Sequence, residues 1–154
     1  MSYLNQKTVK NHISFKGVGL HTGLNVCVTI KPSMPDTGII FKRIDLKKNN
    51  EIDANFKNVS SAKLCTKLQN ESGASVSTIE HLMAAFYICG IDNILVNLNG
   101  PEVPIMDGSA KEFVKIIKDC GLKILEGKRK FVRIKNKIEL KKEDGKFINI
   151  KPSN

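Results

Sequence analysis

Glu80 and His81 stand side by side in Ser77-Thr78-Ile79-Glu80-His81, at the head of a markedly apolar segment. An imidazole beside a carboxylate, with few other polar neighbours, is a candidate metal ligand next to a candidate general base. Catalytic zinc usually takes three protein ligands and keeps one position for water, whose pKa then falls toward about 7. A carboxylate within reach can accept that water's proton. Both residues also have a plainer use. Glu80 occupies the last place of a Ser-x-x-Glu capping box, and a lone histidine is more often structural than ligating. The spacing is not His-Glu-x-x-His, and the other histidines are His12 and His21. On the residues alone, both readings stay open.

His21 sits in Gly17-Val18-Gly19-Leu20-His21-Thr22-Gly23, a glycine-punctuated turn. A polar group there can face a site beside a rigid sheet or simply decorate the turn. Asp107 and Ser109, in Pro104-Ile105-Met106-Asp107-Gly108-Ser109, read most cheaply as groups that satisfy exposed helix amides.

The elements that must hold these residues follow from periodicity. Leu24, Val26, Val28 and Ile30 alternate with polar residues, as do Ile94, Val96 and Leu98, which is the period of half-buried strands. Further strands are expected within 8–15, at 39–41, at 64–68 and 74–76, and at 131–140 and 146–150, the last two joined by a turn at Asp144-Gly145. Helices are expected from Ser77 to Gly90 and from Ser109 to Gly121, each opened by a Ser-x-x-Glu signature and stopped by glycine. The order predicts an α+β domain over 1–154, two helices lying on one face of a small, mostly antiparallel sheet. The second helix is amphipathic, with Phe113, Ile116, Ile117 and Cys120 on one side. The first is apolar nearly all round (Ile79, Leu82, Met83, Ala84, Ala85, Phe86, Ile88) and asks for cover on both sides. One sheet supplies one side. Either the helix is central to this domain or a second layer is missing.

Composition narrows the class. The 154 residues carry 25 Lys+Arg against 15 Asp+Glu, a net charge of +10, but Arg43, Arg129 and Arg133 are the only arginines. Dispersed lysine mostly solvates a surface, whereas base readout and phosphate clamps favour arginine. Aromatic content is 6% with no tryptophan, poor material for base stacking. A basic module for RNA or anionic lipid is therefore the alternative, not the first choice. The opening MSYLNQKTVK has no apolar core of a signal peptide, and no run reaches membrane-spanning length, so a cytoplasmic protein is expected. Cys27, Cys65, Cys89 and Cys120 are far apart, and reduced thiols are expected, Cys27, Cys89 and Cys120 acting as small hydrophobes.

The strings GVGLHTG (17–23), DTGIIFKRIDL (36–46), LCTKL (64–68), STIEHLMAA (77–85) and GIDNILVNLNGPEVPIMDGSA (90–110) occur in one chain and in this order. Together they resemble the amino-terminal half of the UDP-3-O-acyl-N-acetylglucosamine deacetylases, the zinc amidases that commit bacteria to lipid A synthesis. The resemblance runs from about residue 6 almost to the end. It implies a two-domain β-α-α-β sandwich in which the helices of both domains lie between two sheets. It implies that Glu80 is the general base and His81 one zinc ligand, and that His21, Leu64 and Cys65 line the site mouth. It also implies a UDP-linked acylated glucosamine substrate, acetate as product, an oxyanion stabilised by metal and a protonated histidine, no nucleic-acid partner and at most peripheral membrane contact. The other zinc ligands and the second catalytic histidine would come from a carboxy-terminal domain. A chain ending at Asn154 would thus be a truncation, inactive alone, its bare helix face exposed or paired with another copy. A degenerate, non-catalytic paralogue is the remaining alternative.

Overall fold

The computed structural model describes residues 4–153. In chain order the strands are β1 (Asn5–Val9), β2 (Ile13–Val18), β3 (Asn25–Pro32), β4 (Ile39–Arg43), β5 (Glu51–Asp53), β6 (Val59–Ser61), β7 (Lys67–Gln69) and β8 (Ser75–Val76). Helix α1 (Glu80–Cys89), β9 (Ile94–Leu98) and α2 (Lys111–Cys120) follow, then β10 (Leu122–Lys128), β11 (Ile138–Lys141) and β12 (Phe147–Ile150). The α+β expectation holds: five strands pair as β2-β3-β9-β4-β5, antiparallel except where β9 meets β4.

The two strongest alternations make the centre of that sheet. Val28 lies opposite Leu98 and Ile30 opposite Val96, while Phe41 of β4 is level with Val96 on its other side. All five are fully buried and join one core with Leu82 and Phe86 of α1 and Phe113 and Ile117 of α2. Ser14, Lys16, Asn25, Cys27 and Lys31 point the other way and are exposed, so one face carries the helices and one meets water. Cys27 lies in a strand, but on its exposed face, whereas Cys89 and Cys120 are buried. Phe15 and Phe113 meet edge to face at 5.6 Å, fixing α2 against β2.

Several boundaries differ from expectation. The stretch 8–15 splits: β1 leaves the main sheet to pair with β10, and β2 begins after a turn. Strand β10, unforeseen, starts directly after Gly121 (φ 76°) and returns the chain beside β1. The Leu64–Leu68 strand shrinks to β7, because Leu64 is in the left-handed region (φ 66°) and breaks extension. A small sheet β6-β7-β8 brackets the loop that Leu64 begins. Arg43, at the end of β4, ties this sheet to the main one. Its guanidinium pairs Asp45 through two bonds of 2.6 and 2.8 Å and donates to the Ser75 carbonyl at 2.7 Å.

The last hairpin forms around Asp144-Gly145 as expected, although its first strand occupies only 138–141. Every residue of β11 and β12 is exposed, including Leu140, Phe147 and Ile148. A two-stranded ribbon with no buried residue has little stability of its own. Among the described residues no helix is long and apolar enough to cross a membrane.

Candidate active site

The approach to α1 is held by neighbours rather than by a capping box. The Ser77 amide and hydroxyl both donate to the Pro101 carbonyl, and the Ser77 carbonyl accepts from the Val103 amide. Ser77 thus runs beside 101–103 as a parallel bridge and is not free to cap. Thr78 then turns the chain at φ 56°, a conformation unusual for a β-branched residue. Ile79 takes the N-cap position, with no side-chain bond to the helix amides.

Glu80 is released from capping by this arrangement. Its Oε2 accepts from the backbone amide of Thr66 at 3.0 Å. The bond fastens the Leu64–Cys65–Thr66 loop to the first turn of α1. Three residues expected at one site, Glu80, Leu64 and Cys65, are therefore brought to one neighbourhood. Leu64 is 86% exposed, Cys65 half-buried. His81 is half-buried and lies next to Glu80 in the same turn.

The apolar helix shows two faces in space. Leu82, Ala85, Phe86 and Cys89 enter the core, while Ala84, Tyr87 and Ile88 are exposed, Tyr87 at 88% and Ile88 at 62%. Cover therefore comes from one side only. Among the described residues no three His, Cys, Asp or Glu side chains converge as a metal site.

His21 is exposed, and its turn is anchored from below by Glu102. The fully buried Glu102 carboxylate accepts from the amides of His21 (3.0 and 3.2 Å) and Thr22 (2.8 Å). It also accepts from the hydroxyls of Thr22 (2.8 Å) and Thr78 (2.7 Å). Gly19 is required there, since a Cβ would come within 2.5 Å of Glu102 Oε2. Thr66, Thr78 and Glu102 were not foreseen. Glu102 left one trace in the sequence: a lone carboxylate amid Gly100, Pro101, Val103, Pro104 and Ile105.

Burial alone would raise the Glu102 pKa, but the His21, Thr78 and Thr22 donors outweigh it and hold the group below its ordinary 4.5. A depressed carboxylate adds stability above its unfolded pKa and loses it as pH falls through the folded one. Wild type should therefore exceed Glu102→Gln in stability by a constant margin from neutrality to about pH 5. The margin should shrink as pH drops below 4.5. Urea unfolding of both proteins across that range checks this. Asp36 and Asp45 also titrate low, from Gln6 and Arg43 respectively, but they are common to both proteins and cancel.

The family model described as UDP-3-O-acyl N-acetylglycosamine deacetylase matches residues 6–154. Curated proteins named UDP-3-O-acyl-N-acetylglucosamine deacetylase are similar over nearly the whole chain. The one from Geotalea uraniireducens (strain Rf4) is 47% identical over 148 residues, covering 96% of this chain and 48% of the relative. That from Blochmanniella pennsylvanica (strain BPEN) is 45% identical over 152 residues, 98% of this chain and 50% of the relative. One from Haemophilus influenzae (strain PittEE) is 43% identical over 152 residues, 98% and 49% respectively. The chain spans about half the length of the curated relatives it matches.

Proposed function

The chain belongs to the UDP-3-O-acyl N-acetylglycosamine deacetylase family, and on that premise we propose that it is the amino-terminal half of a zinc-dependent amidase. In this reading Glu80 is the general base and His81 one zinc ligand. The substrate is a UDP-linked 3-O-acyl-N-acetylglucosamine, from which hydrolysis releases acetate and leaves the free 2-amine. That step commits the sugar to lipid A synthesis, in the cytoplasm. The observation that carries the proposal is the paired position of Glu80 and His81, at the start of a helix whose outer side is bare.

Zinc, when bound, polarises the amide carbonyl and lowers the pKa of water. The residues of this chain do the rest of what falls to it. Glu80 accepts a proton from the attacking water and delivers it to the departing nitrogen, so the C–N bond breaks as the new C–O bond persists. The Thr66 amide, bonded to Glu80 Oε2, holds the carboxylate in one orientation. Leu64, Cys65 and the His21 turn line the approach. The remaining zinc ligands and the second catalytic histidine come from a carboxy-terminal half that seats on Ala84, Tyr87 and Ile88. The β11–β12 hairpin, in which no residue is buried, is the part of the 1–154 unit that depends on that half.

Joining the chain to the carboxy-terminal half of a relative tests this. Neither half alone should release acetate from UDP-3-O-acyl-N-acetylglucosamine, while the joined protein should carry one zinc and release it. A joined protein that is folded and zinc-loaded yet leaves the N-acetyl group intact sinks the proposal.

A further inference from the structure

Glu102 is the one fully buried carboxylate among the described residues, and no lysine, arginine or histidine side chain there forms an ion pair with it. Buried charges are normally paired, because desolvation is costly. This one is satisfied instead by amides and hydroxyls, which are shared between two segments far apart in sequence. One segment is the turn that presents His21; the other is Thr78, two residues ahead of Glu80.

Thr78 gives the joint its direction. Its φ of 56° is strained for threonine and persists only where neighbours over-determine it. On one side Ser77 is fastened to Pro101 and Val103. On the other the Thr78 hydroxyl bonds Glu102 at 2.7 Å. Since α1 has no side-chain N-cap of its own, the direction in which Glu80 and His81 leave the backbone is inherited from Thr78.

We propose that Glu102 is a positioning residue for the deacetylation centre, its carboxylate locking the His21 turn and the Thr78 kink into one rigid frame that aims Glu80 and His81. The inference rests on the deacetylase reading for its catalytic consequence but not for the coupling itself. Glutamine preserves only part of this set: its one oxygen can keep the Thr22 bonds, but its NH2 takes away the second acceptor shared by the His21 amide and the Thr78 hydroxyl, and the charge is lost. Misplacing a catalytic group by about 1 Å can cost on the order of a hundredfold in rate.

The test has two readouts. In the 154-residue chain, 15N NMR follows the His21 and Thr22 amides. Thr78→Val, which removes one bond to Glu102 and conserves shape, should move both resonances, while Thr78→Ser leaves them in place. Unmoved amides in Thr78→Val overturn the frame. In the joined two-half enzyme, Glu102→Gln and Thr78→Val should each lower kcat per bound zinc at least about tenfold. Thr78→Ser should stay within about twofold, and the double variant should be no worse than the weaker single one. A merely structural role predicts otherwise: a lower Tm but wild-type kcat per zinc, which refutes the positioning role. Should Glu102→Gln fail to fold, Thr78→Val and Thr78→Ser carry the comparison. If the unmutated joined enzyme is itself inactive, the deacetylase reading falls, while the amide shifts still decide the coupling.

Discussion

Glu80→Gln in the joined enzyme should keep its zinc and lose about 10²- to 10⁴-fold in kcat, the range a positioned general base contributes. The substitution is chosen to separate the two jobs of Glu80. Its Oε2 accepts the Thr66 amide at 3.0 Å, and a glutamine oxygen can accept the same bond. The Leu64–Cys65–Thr66 loop should therefore stay attached, and thermal stability should change little. What glutamine cannot do is take a proton. On the proposed reading His81→Ala should behave differently, because it would remove a zinc ligand and weaken metal binding before any step is reached. Zinc content and acetate release, measured on both variants, distinguish the roles. Wild-type turnover in Glu80→Gln would reduce Glu80 to a loop anchor.

The contrast between these roles marks how far the sequence could be read. Period-two alternation identified β3 and β9 as half-buried strands, since one face of each packs on the core and the other does not. Both helices were legible from their apolar spacing and their glycine stops, and the apolar girth of α1 foretold its bare outer face. At α2 Ser109 does accept the Lys111 amide, but the start of α1 was misread for a physical reason. Ser-x-x-Glu is a local signature, whereas Ser77 and Glu80 are claimed by Pro101 and Thr66, partners distant in sequence. Strand β10 was hidden because Leu125 is its one buried residue, so its segment shows no alternation. Glu102 was overlooked for a related reason. Its donors are backbone amides and hydroxyls, and no composition or spacing advertises them.

Ile88→Lys is expected to leave the isolated chain folded and to abolish its union with the second half. Ile88 is 62% exposed on the outer side of α1, beside Tyr87 at 88%. A change there removes no core contact, and exposed substitutions rarely move stability by more than about 0.5 kcal/mol. Thermal unfolding of the free chain should thus match wild type. Association is another matter. Covering an isoleucine contributes about 1.5–3 kcal/mol, and burying a lysine without a partner adds several more against binding. At 1.4 kcal/mol per factor of ten, affinity for the carboxy-terminal half should fall more than about a hundredfold. Titration of separately purified halves by calorimetry reads this directly. Phe86, buried on the opposite side of the same helix, supplies the control: Phe86→Ala should unfold the chain by about 3–5 kcal/mol rather than discriminate between free and joined states. This helix carries Glu80 and His81 at its head, so on the proposed reading a second half seated on its outer face would also bring the remaining ligands to His81. Should Ile88→Lys bind as tightly as wild type, the second layer does not lie on α1, and a zinc centre shared across it has no physical basis.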